Sequence, residues 1–237
     1  MRRALLSLFL MAVVPAMAAS AQAAPAARQP VVIELYTAQG CSSCRKANEH
    51  LAELAEKPGV LALTFAVDYW DYLGWPDSFA QPAFADRQKA YARKLNVREV
   101  YTPQVVVDGR SQTGGVKLEK IEALVAEAAR TPVNPPDMLF LRNGRIAVGS
   151  GPVPRGGAEV WIVRYDPREL TITPKRGDNR GVPVVHRNVV RQLAKLGAWS
   201  GSPTAYRTPK PSEDGLKTVI LVQAARGGKI IGVLVES

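Results

Sequence analysis

Val31-Val32-Ile33-Glu34-Leu35-Tyr36-Thr37-Ala38-Gln39-Gly40-Cys41-Ser42-Ser43-Cys44 is the stretch on which the reading of the fold turns. Its first half is apolar and rich in β-branched residues, as suits a central strand covered on both faces. A short polar turn containing Gly40 follows, and then two cysteines separated by Ser42-Ser43. Beyond them Ala47, Leu51 and Leu54 recur at helical spacing, the stripe of a helix with one buried face. The cysteines therefore sit where a strand gives way to a helix. Extending the stripe backwards puts Cys44 on the buried side, one turn into the helix. Cys41 falls at the helix mouth, where free backbone N–H groups and the positive end of the helix dipole stabilise a thiolate. One reachable, acidified sulfur that attacks, with a sheltered one behind it that resolves, is what dithiol–disulfide exchange requires.

Other uses of two cysteines compete with that one. A purely structural disulfide closing so short a loop constrains the unfolded chain by only about 1.9 kcal/mol in the chain-entropy model, against about 4.7 for a long loop. Half of a zinc site lacks its other half, because no further cysteine exists and the only histidines, His50 and His186, stand at no ligand spacing. A two-coordinate Cu(I) site through Cys41 and Cys44 is chemically allowed, since soft thiolates favour that ion. A non-catalytic partner-binding turn is also open. Exchange chemistry needs no cofactor.

The chain has 237 residues, 46% of them hydrophobic, enough for one large or two small packed domains. Its formal charge of +10 is scattered, without a long basic run or interleaved aromatics, which argues against a nucleic-acid partner. Residues 1–23 read as an export signal: Arg2-Arg3, an apolar core from Ala4 to Val14, and the small-residue sites Ala16-Met17-Ala18 and Ala21-Gln22-Ala23. That core is too short for a bilayer span, and no later stretch is apolar enough, so no membrane span is expected in the mature chain. A periplasmic or secreted location follows, an oxidising setting for Cys41 and Cys44.

Glu34 interrupts its apolar strand, and a carboxyl there must be paired, protonated or close to water. Pro58-Gly59 ends the first helix, and Val60–Val67 reads as a strand parallel to the first through a right-handed crossover. Next comes Asp68-Tyr69-Trp70-Asp71-Tyr72-Leu73-Gly74-Trp75-Pro76-Asp77, four aromatics and three acids at the carboxyl end of that strand. In open α/β sheets ligands bind on that side, where Cys41 also lies. Tyr69, Trp70 and Trp75 are thus candidates for the wall of a substrate groove, or alternatively for a hydrophobic lid. A second helix is expected over Ala83–Leu95. A strand led by Tyr101-Thr102-Pro103, a turn at Asp108-Gly109, a strand closed by Gly114-Gly115 and a helix over Leu118–Ala129 follow. Residues 132–137 read as a linker between a domain at 28–131 and a smaller β-rich domain at 138–237. In the latter, Asn143-Gly144 signals a hairpin, and Val190, Leu193 and Leu196 suggest one helix over Arg187–Leu196.

The order of these elements, with the dithiol at the first helix and Thr-Pro before a later strand, resembles the thioredoxin fold. The strings ELYTAQGCSSC (Glu34–Cys44), VDYWDYLGW (Val67–Trp75) and VYTPQVVVDG (Val100–Gly109) resemble a narrower group, the exported thioredoxin-like proteins of domain of unknown function 1223. The resemblance implies an α/β thioredoxin-like domain carrying an aromatic insert. It also implies a nucleophilic Cys41, a resolving Cys44, a cis-proline at Pro103 and a proton-relaying acid near Glu34. Ser42-Ser43 between the cysteines, the lack of a preceding tryptophan and the aromatic insert depart from thioredoxin proper.

The function expected is thiol–disulfide exchange on protein or small thiol and disulfide substrates. In it Thr102-Pro103 presents backbone to the substrate. Arg45 and Lys46 reinforce the helix mouth in stabilising the Cys41 thiolate, which leans the pair towards oxidant.

Overall fold

The computed structural model describes residues 29–236, so the expected export signal at residues 1–23 lies outside the described residues. The chain opens with β1 (Val31–Thr37), α1 (Cys44–Ala55), β2 (Val60–Ala66), a single 3-10 turn at Asp71–Leu73 and α2 (Pro82–Lys94). It continues through β3 (Gln104–Val107), β4 (Ser111–Gly114) and α3 (Leu118–Arg130). Strands make up the rest: β5 (Met138–Leu141), β6 (Arg145–Val148), β7 (Ala158–Asp166), β8 (Leu170–Ile172), β9 (Val184–His186), β10 (Val189–Trp199), β11 (Thr204–Arg207), β12 (Lys217–Ala224) and β13 (Ile230–Val235). This is a mixed α/β fold with few helices and one large mixed sheet.

That sheet has eight strands in the order β13-β12-β7-β10-β2-β1-β3-β4. β1 and β2 run parallel as the crossover requires, and β3 pairs antiparallel to β1. Asp108 and Gly109 both take positive φ, which suits the tight turn from β3 to β4; Asn143 and Gly144 do the same between β5 and β6. Residues 132–137 form an irregular crossing segment, as expected. Past it, however, the chain does not stand apart. β7, β10, β12 and β13 extend the sheet built by the first half, joined where Val189 pairs parallel with Thr64. Thr64 Oγ1 donates to the Arg187 carbonyl and Asn188 Nδ2 to the Ala62 carbonyl, reinforcing that seam.

The helix expected over Arg187–Leu196 is instead the long strand β10. Its ladder with β7 slips between Val190 and Gln192 and again between Lys195 and Gly197. The first bulge puts Val190 and Leu193 against the same cluster although they are three residues apart. Bulges thus break the period of two and imitate a helical stripe.

β1 divides the core. Ile33 and Leu35 pack with Ala47, Leu51 and Leu54 of α1 and with Ile121 of α3. Val32 and Tyr36, on the other face, meet Phe65, Phe84 and Tyr91 beside α2 together with Val163 and Leu221 of the second half. A third cluster lies between the far end of the large sheet and the small sheet of β11, β6 and β5, around Ile146, Ile162 and Trp199. Amphipathic helices laid on alternating strands account for the first two clusters.

Candidate functional site

Cys41 and Cys44 form a disulfide in the turn between β1 and α1. Cys44 is the first residue of α1, not a turn inside it, and Cys41 precedes the helix, its carbonyl accepting from the Cys44 N–H at 3.2 Å. Ser43 occupies the cap position without a side-chain bond to the helix. The expected reachable sulfur is not at the surface: Cys41 is 1% exposed and Cys44 0%.

Three elements close over the pair. The first is the Thr102-Pro103 segment, whose peptide bond is cis. Thr102 Oγ1 donates to Cys41 Sγ at 3.4 Å and accepts from the indole Nε1 of Trp70 at 2.7 Å. The indole occupies a lone pair of the threonine oxygen, leaving the hydroxyl hydrogen for the sulfur. Ser43 Oγ lies 3.5 Å from the same sulfur, which carries no hydrogen in the disulfide, so the serine is the donor. Gly115 makes the close approach of α1 possible here. A Cβ on it would lie 2.7 Å from Ala47 Cβ and 3.0 Å from Pro103 Cβ, so no larger residue fits. Its carbonyl accepts from His50 of α1, which fixes the ring hydrogen on Nδ1.

The second element is the aromatic insert. Trp70 packs against the core and touches the site through Thr102. Tyr69 turns towards α2, where its hydroxyl donates to Gln88 at 3.1 Å, and burial pushes its pKa up to about 12. Trp75 donates to the side-chain oxygen of Gln39 at 2.8 Å. Asp77 accepts from the Gln39 N–H at 2.7 Å and from the Phe79 N–H at 2.9 Å. Burial is the main reason its pKa rises to about 6; the N–H donors oppose the rise and neighbouring Asp71 adds to it. Trp70, Trp75 and Asp77 therefore hold the cysteine turn from one side. Tyr72 between them is 80% exposed.

The third element carried no signal in the sequence. Asn179, in the loop between β8 and β9, donates from Nδ2 to the carbonyls of Gln39 at 2.8 Å and Cys41 at 2.9 Å. Gly177 of the same loop lies against Gly40, within 3.5 Å of a Cβ placed on Gly177, and its φ of +78° suits glycine. Pro-Lys-Arg-Gly-Asp-Asn-Arg-Gly-Val-Pro at 174–183 reads locally as an ordinary surface loop. Its partner lies 138 residues away.

Glu34 is not part of this assembly. Its Oε2 accepts from Tyr36 at 2.9 Å and from Arg87 Nε at 2.7 Å; Oε1 accepts from Arg87 Nη2 at 2.9 Å and from Tyr91 at 2.6 Å. Arg87 Nη1 continues to Gln223 of β12 at 3.1 Å, and its guanidinium lies over the rings of Tyr91 and Trp161. Burial and the carboxylate charge push the Tyr36 and Tyr91 hydroxyls well above their ordinary pKa. Every acceptor site of Glu34 is occupied by a donor from β1 or α2. Where the resemblance implies a proton-relaying acid near Glu34, Glu34 is held in a buried ion pair with Arg87. A lone acid in an apolar strand reveals that a partner exists but not which of the later arginines supplies it.

The site thus comprises a buried disulfide, a hydroxyl on its first sulfur and a cis X-Pro bond alongside. As a disulfide the pair offers no thiolate to a metal ion. Among the described residues no group of three or more His, Cys, Asp or Glu is placed to hold one, and no helix is long and apolar enough to cross a membrane.

Residues 32–223 match the family described as protein of unknown function DUF1223, and the chain belongs to that family. Among solved structures it is similar to a structural-genomics crystal structure of an Agrobacterium tumefaciens protein. The identity is 31%, with a TM-score of 0.67, covering 86% of this chain and 92% of that one. HBP35 of Porphyromonas gingivalis is similar in fold, at 13% identity and a TM-score of 0.56, covering 89% of this chain and 75% of that one. No curated protein matches.

Proposed function

We propose that this protein is an exported, thioredoxin-like thiol–disulfide oxidoreductase working through Cys41 and Cys44. One observation carries the reading. The disulfide stands between the carboxyl end of β1 and the start of α1, with the hydroxyl of Thr102, next to cis-Pro103, directed at Cys41 Sγ. A structural staple has no use for a donor aimed at one of its sulfurs. An exchange centre does, because that donor stabilises the thiolate which appears when the bond opens.

In the oxidising direction a substrate thiolate attacks Cys41 Sγ, the Cys41–Cys44 bond breaks, and Cys44 leaves as a thiolate. A second substrate thiolate then attacks the substrate sulfur of the mixed disulfide and expels Cys41. The substrate departs as a disulfide, two electrons stay on the cysteine pair, and protons equilibrate with water. Reduction of a substrate disulfide is the same path reversed. Donation from Thr102 and Ser43, reinforced by the basic residues Arg45 and Lys46 at the start of α1, favours the thiolate form and hence a comparatively oxidising pair. No cofactor enters. The sequence of residues 1–23 supports action in the periplasm or outside the cell.

The test is a Cys44→Ala variant produced with its native signal. Cys41 then has no resolving partner, and mixed disulfides with substrates should accumulate as reductant-sensitive adducts that a Cys41→Ala variant lacks. Adducts absent in both, together with a wild-type pair that never equilibrates with glutathione, overturn the reading.

A further inference from the structure

An exchange centre must be touched by its substrate, yet neither sulfur reaches the surface here. What separates Cys41 from solvent can be traced residue by residue. The core side is closed by α1 and by Gly115 against Pro103. Trp70 and Thr102 close one flank. Ser43 lies at the sulfur from the helix side, and against the backbone of the turn lies the loop 174–183, through Asn179 on the Gln39 and Cys41 carbonyls and Gly177 on Gly40. The loop is knit by its own backbone, with the Gly181 N–H on the Pro174 carbonyl at 2.8 Å, Arg180 on Gly177 at 3.1 Å and Val182 on Asn179 at 3.0 Å. The side chain of Arg176 lies over Gly74 of the aromatic insert, 3.4 Å from a Cβ placed there.

The two faces of this loop differ. Asn179 is buried at 2% exposure and spends both amide hydrogens on the turn that carries Cys41. Lys175, Arg176 and Arg180 are exposed, against one exposed acid of the loop, Asp178, and Arg45 and Lys46 at the start of α1 are exposed too. The loop thus combines a polar latch on the turn with a cationic outer surface.

We propose that residues 174–183 are the specificity gate of the disulfide, with Asn179 as its latch. The preferred substrate is a thiol or disulfide carried by an acidic molecule, which engages the basic rim as the latch lets go. This rests on the exchange reading for its substrate, but the gate itself is a property of the disulfide alone. Opening exchanges the two amide hydrogen bonds for bonds to water and parts Gly177 from Gly40 and Arg176 from Gly74, while β8 and β9 stay paired with each other. The chemistry through the open gate is ordinary. A reductant thiolate attacks one sulfur and expels the other, and a dithiol such as dithiothreitol then closes its own ring, leaving two thiols on the protein.

The experiment measures the rate of reduction of the intact pair in the folded protein, using dithiothreitol and the anionic tripeptide glutathione separately. Asn179→Ala should accelerate reduction by dithiothreitol about tenfold, the equivalent of about 1.4 kcal/mol. Asn179→Asp, which faces two carbonyl oxygens with a carboxylate, should accelerate it at least as much. Faster hydrogen exchange confined to 174–183, with β1 unchanged, separates unlatching from general unfolding. Lys175→Glu combined with Arg180→Glu, both exposed, should slow glutathione severalfold relative to dithiothreitol. Unchanged dithiothreitol rates in both Asn179 variants, with the fold intact, overturn the gate. An unchanged glutathione-to-dithiothreitol ratio in the charge-reversed variant overturns the acidic-substrate assignment. Faster reduction in the Asn179 variants together with no trapped adducts from Cys44→Ala leaves the gate standing and removes the exchange function instead.

Discussion

Glu34 in the middle of β1 and Asp77 beside the cysteine turn are both buried carboxylates, and the molecule holds them in opposite ways. Glu34 has a guanidinium in bidentate contact and two tyrosine hydroxyls, so its charge is neutralised where it stands. Among the described residues Asp77 has no cation. Backbone N–H groups of Gln39 and Phe79 are its main donors, and its pKa rises towards neutrality. The first region is closed in every respect. The second is held by neutral or long bonds: 3.4 and 3.5 Å at sulfur, one amide latch and one acid close to titrating. A fold can keep a charge in its core permanently only by pairing it fully; where a group must change state or become accessible, the pairing is left weak. Here that contrast separates the paired acid of the core from the region proposed for exchange.

The strongest challenge to this contrast is Arg87→Ala. It leaves Glu34 buried without its cation and should cost about 3–5 kcal/mol in denaturant unfolding. The redox potential of the cysteine pair should hardly move in whatever fraction stays folded. A large shift in potential would restore Glu34 to the site.

Asp77 gives the next largest effect, and its sign is opposite to that of a paired acid. With the folded-state pKa lifted to about 6, the native chain takes up a proton before the unfolded chain does. Its contribution to stability is therefore full below about pH 3.8 and is lost as pH rises through about 6. Wild type should lose roughly 2 kcal/mol relative to Asp77→Asn between pH 4 and pH 7.5. A constant difference between the two proteins across that range breaks the contrast between the acids.

Thr102→Val tests the bond at sulfur. Removing the hydroxyl takes a donor from the Cys41 thiolate and leaves the Trp70 N–H without its acceptor. The potential should fall by roughly 30 mV, corresponding to about 1.4 kcal/mol less stabilisation of the reduced form. Thr102→Ser, which keeps the hydroxyl, should retain the wild-type value. Smallest of all is the optical signal. Reduction should raise the emission of Trp70, which neighbours the pair through Thr102, while Trp199 in the far cluster stays unchanged. A response that survives Trp70→Phe points to another indole.

Sequence made the strand–dithiol–helix unit legible because local signals agree there: β-branched residues, a glycine turn and a helical stripe. The tight turns at Asp108-Gly109 and Asn143-Gly144 were equally readable, since positive φ restricts residue choice. What escaped was everything set by distant pairing. Arg87 is one arginine among many until α2 is laid over β1. Bulges made β10 imitate a helix. The second half looked separable because the pairing that joins it to β2 hangs on Val189, a valine no different in sequence from its neighbours. Asn179 sits in a loop with unremarkable composition, and its role exists only through its contacts with Gln39 and Cys41.

The separation of Asn179 from Cys41, 138 residues along the chain, also sets an order of events during biosynthesis. Cys41 and Cys44 leave the ribosome or translocation channel long before the loop that covers them. In the nascent protein they stand unguarded, open to whatever oxidant first meets them. Asn179 arrives only after β7 and β8 have emerged, so the cysteine pair spends an interval without it. On the exchange reading proposed above, a newly made molecule meets its first oxidant with the turn uncovered, and a mature one meets its partners through the loop.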